Sequence, residues 1–455
     1  MSYKILFTDT VDPSSEVENR YPPLGPGYLA SYLKKHDPDQ FYEFKYVNTL
    51  TKSILLDFKP NLVSITSVSQ NFERAKKYAE IAKESGLIVI IGGIHISSLP
   101  QSLTEHMDLG IIGEGEKTFF EIVSSLSRTP VFNSENFKKI KGICFHENEQ
   151  IIVTDNRDLL NDNDIPHPMR DLTGYKEHDY IFSSRGCPYK CRFCASTRYW
   201  GKIRWLSPEF VIEEICEMMN NGVTMITFYD DLFIANKPRL KKIADLIDEK
   251  GINRHIKFIC TARANLIDED TIHYLKKMNV VSVGLGLESG NERVLNYLKG
   301  DSVTVNDNKN AVALLSKAKI QANASFIIGS PDETLEEIND TYNFIKHNKL
   351  SFTDVYVLTP FPGTPIWDYA KTRGLVSDEM NWEILNVNFE KNFNSAIILS
   401  EKVDKATIVR IYKKFRLLRL YKILIALPKS PSIRDVPKIL LFYLKMQIRR
   451  ISEGF

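Results

Sequence analysis

Between Tyr180 and Leu358 an apolar run followed by a helical pattern recurs six times, and few folds accept that rhythm. The strand candidates are Tyr180–Ser183, Thr224–Tyr229, Lys257–Thr261, Val281–Leu285, Ala324–Ile328 and Asp354–Leu358. Helical patterns follow the first five, at Pro208–Asn220, Arg239–Glu249, Glu269–Met278, Glu292–Tyr297 into Asp307–Lys319, and Leu335–His347. Such alternation indicates a parallel sheet with right-handed crossovers. A closed barrel of this kind takes eight repeats, so six predict an open (βα)6 barrel. Chemistry in parallel barrels sits at the carboxyl ends of the strands. The distinctive residues fall there: Asp230-Asp231 after the second strand, Arg263 after the third, Glu288-Ser289-Gly290 at the fourth, and Gly329-Ser330-Pro331 after the fifth.

The first strand runs into Ser183-Ser184-Arg185-Gly186-Cys187-Pro188-Tyr189-Lys190-Cys191-Arg192-Phe193-Cys194, with cysteines at i, i+4 and i+7. Thiolates are soft ligands for zinc or iron–sulfur clusters. A cubane 4Fe-4S cluster normally takes four cysteines, so three leave one iron open to a ligand. A structural zinc site with a distant fourth ligand is the alternative reading of the same spacing.

The loop resembles the cluster loop of radical S-adenosylmethionine (SAM) enzymes, Cys-x3-Cys-x2-Cys with an aromatic residue before the last cysteine, here Phe193. The resemblance implies a 4Fe-4S cluster on Cys187, Cys191 and Cys194. Its open iron would chelate SAM, and an electron would cleave SAM to methionine and a 5′-deoxyadenosyl radical. It further implies SAM contacts at Glu288 and Ser289, a SAM carboxylate on Arg263, a turn beside adenine at Gly329 and Pro331, and Asp230 near SAM or substrate. Bidentate pairing suits an arginine to that carboxylate. For Asp230 the competing role is a helix cap, and for Glu288 a structural salt bridge. No catalytic acid or base is assigned.

Residues 1–130 alternate strand and helix signals. Leu87-Ile88-Val89-Ile90-Ile91 is continuous and apolar, as in a parallel strand buried on both faces. This predicts a doubly wound sheet binding its ligand at the strand carboxyl ends. Tyr21-Pro22-Pro23-Leu24-Gly25, Ser64-Ile65-Thr66, Gly92-Gly93-Ile94-His95 and Gly113-Glu114-Gly115-Glu116 resemble the cobalamin-binding domain of many radical SAM enzymes. The resemblance places Ser64, Thr66, Gly92 and Gly93 around cobalamin. The loop after the first strand, Thr8-Asp9-Thr10-Val11-Asp12-Pro13, lacks the cobalt-ligating histidine of methionine-synthase-like domains. His95 fits a surface or helix-capping role at least as well as a ligand role.

Residues 131–175 are expected to be a connector with a small hairpin around His146–Glu149, residues 176–375 the barrel, and residues 376–455 a basic helical region. Residues 405–455 hold thirteen Lys and Arg against two Asp and Glu, a net +11, so the other 404 residues sum to −9 in a chain of +2. Two basic amphipathic stretches, Ala406–Leu427 and Val436–Ile451, flank Pro428-Lys429-Ser430-Pro431. Such helices pack on a core or lie on anionic membranes. No nucleic-acid recognition motif accompanies the charge. Six cysteines, three of them clustered, point to a reducing cytoplasm, with Cys144, Cys216 and Cys260 as core thiols.

The sequence therefore predicts a cytoplasmic enzyme, with a membrane-associated tail as a further option, acting on a small-molecule or lipid substrate. A flavodoxin or ferredoxin would supply electrons, and the N-terminal domain would be a lid on the barrel mouth. The favoured reaction is cobalamin-dependent methylation of an unactivated carbon. The alternatives are a cobalamin-independent radical dehydration, dehydrogenation or rearrangement, and a zinc-stabilised binding protein without enzymatic activity.

Overall fold

The computed structural model of the 455-residue chain describes residues 2–12, 23–128, 134–387 and 389–426. Within them, the N-terminal sheet has seven strands: β1 (Tyr3–Asp9), β2 (Tyr42–Val47), β3 (Leu62–Thr66), β4 (Ile88–Gly92), β5 (Leu109–Ile111), β6 (Ile143–Glu147) and β7 (Gln150–Val153). Their order is β2-β1-β3-β4-β5-β6-β7. The first five are parallel, and β6 and β7 add to the edge antiparallel. The hairpin of the connector is thus part of the sheet. β2 escapes the sequence reading because it is an edge strand, buried only at Tyr42, with Glu43 and Lys45 breaking any apolar run. Period-two alternation gives the sheet its two faces. Leu6, Val63, Ile65, Val89 and Ile91 join one apolar cluster, and Ile5, Phe7, Leu62, Ile90 and Leu109 join another with the helix Glu116–Arg128.

The barrel strands are β8 (His178–Ile181), β11 (Met225–Phe228), β12 (Lys257–Ala262), β13 (Val280–Glu288), β14 (Gln321–Ile328) and β15 (Phe352–Val357), with the short pair β9 (Ser184–Arg185) and β10 (Arg204–Trp205) beside β8. The six pair in chain order, all parallel, with β8 and β15 as free edges, so the barrel is open. Its six helices each begin at a side-chain cap: Ser207, Asn236, Asp268, Asn291, Thr304 and Thr334. A cap of this kind contributes about 1 kcal/mol. The six together fix where each return to the sheet begins.

The two sheets share a core. Leu6, Val63 and Ile91 lie in one cluster with Leu298, Ile327, Leu358, Trp367 and Trp382. An aromatic chain crosses the junction: Phe72 to His95 at 3.9 Å, His95 to Trp382 at 4.5 Å, and Trp382 to Trp367 at 5.9 Å between ring centroids. His95 is therefore neither a surface residue nor a cap. It is fully buried, its Nδ1 lies 3.0 Å from Ser69 Oγ, and burial pushes it down to about 3, so it is neutral.

The first basic stretch is the helix Lys405–Ala426, which turns Ile408, Ile411, Phe415 and Leu418 inward and leaves Leu417, Leu420 and Tyr421 exposed. Arg419 pairs with Asp354 of β15 at 2.7 Å. The second stretch, Val436–Ile451, lies outside the described residues. Among those described, no helix is long and apolar enough to cross a membrane.

A second joint is ionic. Glu114, in the loop after β5, accepts hydrogen bonds from Arg185 Nη1 (2.5 Å), Arg204 Nη2 (2.7 Å), Arg204 Nη1 (2.9 Å) and Leu160 N (3.0 Å), while Glu116 takes Arg185 Nη2 (2.6 Å). All four charged side chains are about 5 % exposed. Burial pushes the Glu114 carboxyl up, but the two guanidiniums more than reverse this and hold it below 4.5. Removing one partner from a buried pair costs about 3–5 kcal/mol. Glu114→Gln should accordingly lower the thermal midpoint at pH 7. Because the folded carboxyl is depressed, the gap from wild type should be full above pH 4.5 and shrink as pH falls through the folded value. A calorimetric pH series would check this; a gap independent of pH would contradict it.

Candidate active site

The segment entering the cysteine loop is held from both sides. From the barrel, Asp230 accepts Ser183 N (2.7 Å), Ser183 Oγ (2.6 Å) and Ser184 Oγ (2.5 Å), and Arg239 donates to Ser183 O (2.6 Å). From the N-terminal domain, Glu114 and Glu116 hold Arg185. Gly186 then turns the chain at φ +90°, where an added Cβ would lie 2.8 Å from Lys202 O, so no other residue fits. Cys187 follows directly. Further on, Arg192 N donates to Leu298 O (2.9 Å) and Arg198 Nη1 to Cys194 O (3.0 Å).

Arg263 reaches the loop from the end of β12. Its Nη1 lies 3.5 Å from Cys191 Sγ, Nη2 donates to Ser302 Oγ (2.8 Å) and Lys299 O (3.3 Å), and the guanidinium stacks on Tyr189 at 4.0 Å. Its Nε is buried without a partner among the described residues. Glu288 closes β13 at φ +61°, past a register shift against β14. Its carboxylate faces Lys299 Nζ at 3.7 Å, and both side chains are buried. Burial pushes Glu288 up and Lys299 down; their mutual attraction only partly offsets it. Lys299 also donates to Gly286 O (2.5 Å) and faces Cys191 and Cys187. Sequence reading missed it, because a lysine in the last turn of a helix ordinarily marks a solvated C-terminus.

The structure thus gathers Cys187, Cys191, Cys194, Arg263 and Glu288 at one end of the barrel. Burial pushes Cys187 up to about 11, with the neighbouring Asp231 and the other two thiols adding to the rise. Among the described residues no group of three or more His, Cys, Asp or Glu side chains stands in metal-binding arrangement. Phe193 is half-buried against the shared core.

Other expected ligand residues are engaged with the protein. Asp230 spends both oxygens beneath the loop. Ser289 Oγ lies 3.1 Å from Thr341 Oγ1 and accepts Asn291 N. Gly329 and Pro331 form a turn held by Glu333, whose Oε2 accepts Gly329 N (2.6 Å) and Ser330 N (3.0 Å). Glu333 is fully buried and pushed up to about 7 by that burial, with Oε1 lacking a partner among the described residues. Its place in Ser330-Pro331-Asp332-Glu333-Thr334, ahead of a helix, was its only sequence signal.

Ser64, Thr66, Gly92 and Gly93 line a cleft of about 880 Å³, including its open part, whose far wall is Phe182, Arg185, Tyr199 and Trp200. The cleft therefore opens between the strand ends of the first sheet and the entry to the cysteine loop. Tyr199 OH donates to Gly113 O (2.8 Å) across it. Its two glycines differ. A Cβ on Gly93, at φ +105°, would lie 2.4 Å from Ser67 O, whereas one on Gly92 meets nothing within 4 Å. Gly93 is required by the chain, and Gly92 leaves bare backbone toward the cleft.

Residues 181–345 match the Radical SAM superfamily, and residues 14–123 match the B12 binding domain. An uncharacterised methyltransferase of Pyrococcus horikoshii is 33% identical over 381 residues, 79% of this chain and 81% of that protein. The chain belongs to the radical SAM family with a B12-binding domain. Another relative, the anaerobic magnesium-protoporphyrin IX monomethyl ester cyclase of Cereibacter sphaeroides, is 24% identical over 395 residues, 80% of this chain and 63% of the cyclase. The fold also superimposes on TsrM of Kitasatospora setae, a radical SAM methyltransferase solved with cobalamin and a 4Fe-4S cluster, at TM-score 0.68 and 18% identity over 82% of this chain and 75% of TsrM.

Membership makes the chain a radical SAM enzyme, sets aside the zinc-stabilised binding protein, and brings a 4Fe-4S cluster, SAM and cobalamin as cofactors. Enzymes of this class take small-molecule substrates and need a reductant. The residues fit these groups. Three thiols meet the cluster's need with one iron left open. The orphaned Arg263 Nε offers a charged donor beside them, and Gly92 presents bare backbone to the cleft, with open space where a side chain would begin. Gly92→Val, a side chain suited to a strand, should fold and load iron as wild type does but retain at least tenfold less cobalamin. Iron assay and the optical spectrum after gel filtration would check this; undiminished cobalamin would remove Gly92 from the site.

Proposed function

We propose that the chain catalyses cobalamin-dependent methylation of an unactivated carbon of a small molecule, initiated by reductive cleavage of SAM to a 5′-deoxyadenosyl radical. The observation that carries this reading is the shared cleft, because one cavity has the B12-binding strand ends as one wall and the entry to the cysteine loop as the other. A cluster on Cys187, Cys191 and Cys194 would supply the electron for SAM cleavage, and cobalamin would carry the methyl group. The chain's own residues hold and shield these groups. Arg263 offers SAM a charged donor, and the Glu288–Lys299 pair offers one acceptor and one donor beside it. Tyr199, Trp200 and Phe182 give the cleft an aromatic wall. No histidine lines the cleft among the described residues, and His95 is held in the core. The described residues of the cleft would therefore offer cobalamin no histidine ligand.

The cyclase relative favours a second reading within the same chemistry: a radical reaction other than methyl transfer. Anaerobic reconstitution separates the two. Wild type should hold about four irons and retain stoichiometric base-off cobalamin, and the Cys187→Ala/Cys191→Ala/Cys194→Ala variant should cleave no SAM. SAM cleavage with no cobalamin retained would replace methyl transfer by the cobalamin-independent reaction. Cleavage persisting in the triple variant would remove the cluster assignment.

Arg263 is the sharpest test of the SAM site, because it also braces the loop. Losing a charged hydrogen bond costs about 1.5–3 kcal/mol. Arg263→Ala is thus expected to keep its iron while binding SAM roughly tenfold to a hundredfold more weakly. Iron lost together with affinity would make Arg263 a brace and nothing more.

A further inference from the structure

The exposed rim of the cysteine loop has one sign of charge. From Gly186 to Lys202 the chain has four basic residues and no acid, and all four, Lys190, Arg192, Arg198 and Lys202, are exposed. Residues 1–404 sum to −9, so this collar is a positive island on an acidic body. Two members are fixed in place: Arg192 stacks over Tyr297 at 4.8 Å, and Arg198 is tied to the carbonyls of Cys194 and Cys191. Two exposed acids neighbour this loop: Asp231 accepts the Ser196 hydroxyl at 2.6 Å and acts electrostatically on Cys187 and Cys194, and Asp332 acts on the Tyr297 ring beneath Arg192. Of the basic groups behind the loop, Arg185 is matched by Glu114 and Glu116 and Lys299 by Glu288, while Arg263 is buried and forms no part of the exposed rim.

We propose that this collar is the docking face for an acidic one-electron carrier protein, which reaches the iron–sulfur site through the exposed edge of its own cysteine loop. The inference rests on the radical SAM reading above. Complementary charge steers encounter and sets the rate of association more than final affinity. The step takes one electron from the carrier's flavin hydroquinone, leaving the semiquinone, and reduces the cluster from its 2+ to its 1+ state. Lys190 and Lys202 have no part in holding the loop, so their charge can be reversed without disturbing its anchors.

The test uses the full-length protein reconstituted with iron and sulfide. Reduction is followed by stopped-flow bleaching of the visible absorbance and by the paramagnetic signal of the reduced cluster. One donor is an acidic flavodoxin in its hydroquinone form; the other is photoreduced 5-deazariboflavin, uncharged and needing no docking face. Lys190→Glu/Lys202→Glu should lower the second-order rate with flavodoxin about tenfold at low ionic strength and flatten its decline with salt. The rate with deazariboflavin should stay at the wild-type value, and the milder Lys190→Gln/Lys202→Gln pair should fall between. An unchanged flavodoxin rate and salt slope would overturn the proposal. So would an equal loss with both donors, which would put the defect in the cluster. Wild-type protein with no reducible iron–sulfur signal under either donor would remove the underlying reading and this inference with it.

Discussion

Glu114 is one carboxylate serving two guanidiniums and a backbone amide, and the relation between the two halves of this protein turns on it. Arg185 lies two residues before Cys187, Arg204 lies on the strand paired with it, and Leu160 belongs to the chain linking the two sheets. A buried ion pair is weak as a source of stability, because desolvation offsets much of the Coulomb gain. Its value here is directional. Apolar contacts fix that two surfaces meet, but they tolerate sliding. Glu114, with four donors at 2.5–3.0 Å, fixes where they meet. The entry to the cysteine loop is thereby held to the same short loop, Gly113–Glu116, that edges the cleft.

Asp230 completes the arrangement from the other side. It binds Ser183 and Ser184, Glu114 and Glu116 bind Arg185, and Gly186 turns where nothing larger fits. Three consecutive residues are thus pinned from both domains as a stem, and Gly186 turns the chain from them into the cysteine loop. Beyond the stem the loop is held by Arg192 N on Leu298 O, by Arg198 on two carbonyls, by Ser196 on Asp231 and by Arg263 against Tyr189 and Cys191. The stem thereby sets where the three cysteines stand relative to the cleft.

The repeating strand–helix rhythm was legible because buried parallel strands are apolar on both faces and their helices carry caps at fixed offsets. Pro208–Asn220 and Leu335–His347 begin and end where periodicity and capping place them. The cysteine spacing and the glycines of the cleft were legible for the same local reason. What the sequence withheld was whether a polar atom is already spent. Asp230 and Ser289 sit at strand ends, as ligands would, yet their oxygens are taken by the protein. Lys299 and Glu333 looked like ordinary helix-end charges and are buried. Asp230, Ser289 and Lys299 depend on partners eleven or more residues away, which no local pattern encodes, and Glu333 is buried by the packing around its own short turn.

The same long-range packing decides how the N-terminal domain can act. As a lid it would swing away to admit substrate, and that motion would have to part the shared core. Trp382 is 1 % exposed, and the chain Phe72–His95–Trp382–Trp367 runs straight across the junction. Exposing a large buried apolar side chain costs about 1.5–3 kcal/mol, so opening at even these rings alone approaches the whole stability of an ordinary domain, about 5–15 kcal/mol. Breaking the Glu114 pairs would add to that. The domain is therefore a fixed wall of the active site. Exclusion of water at this wall comes from a closed junction and not from the swing of a lid.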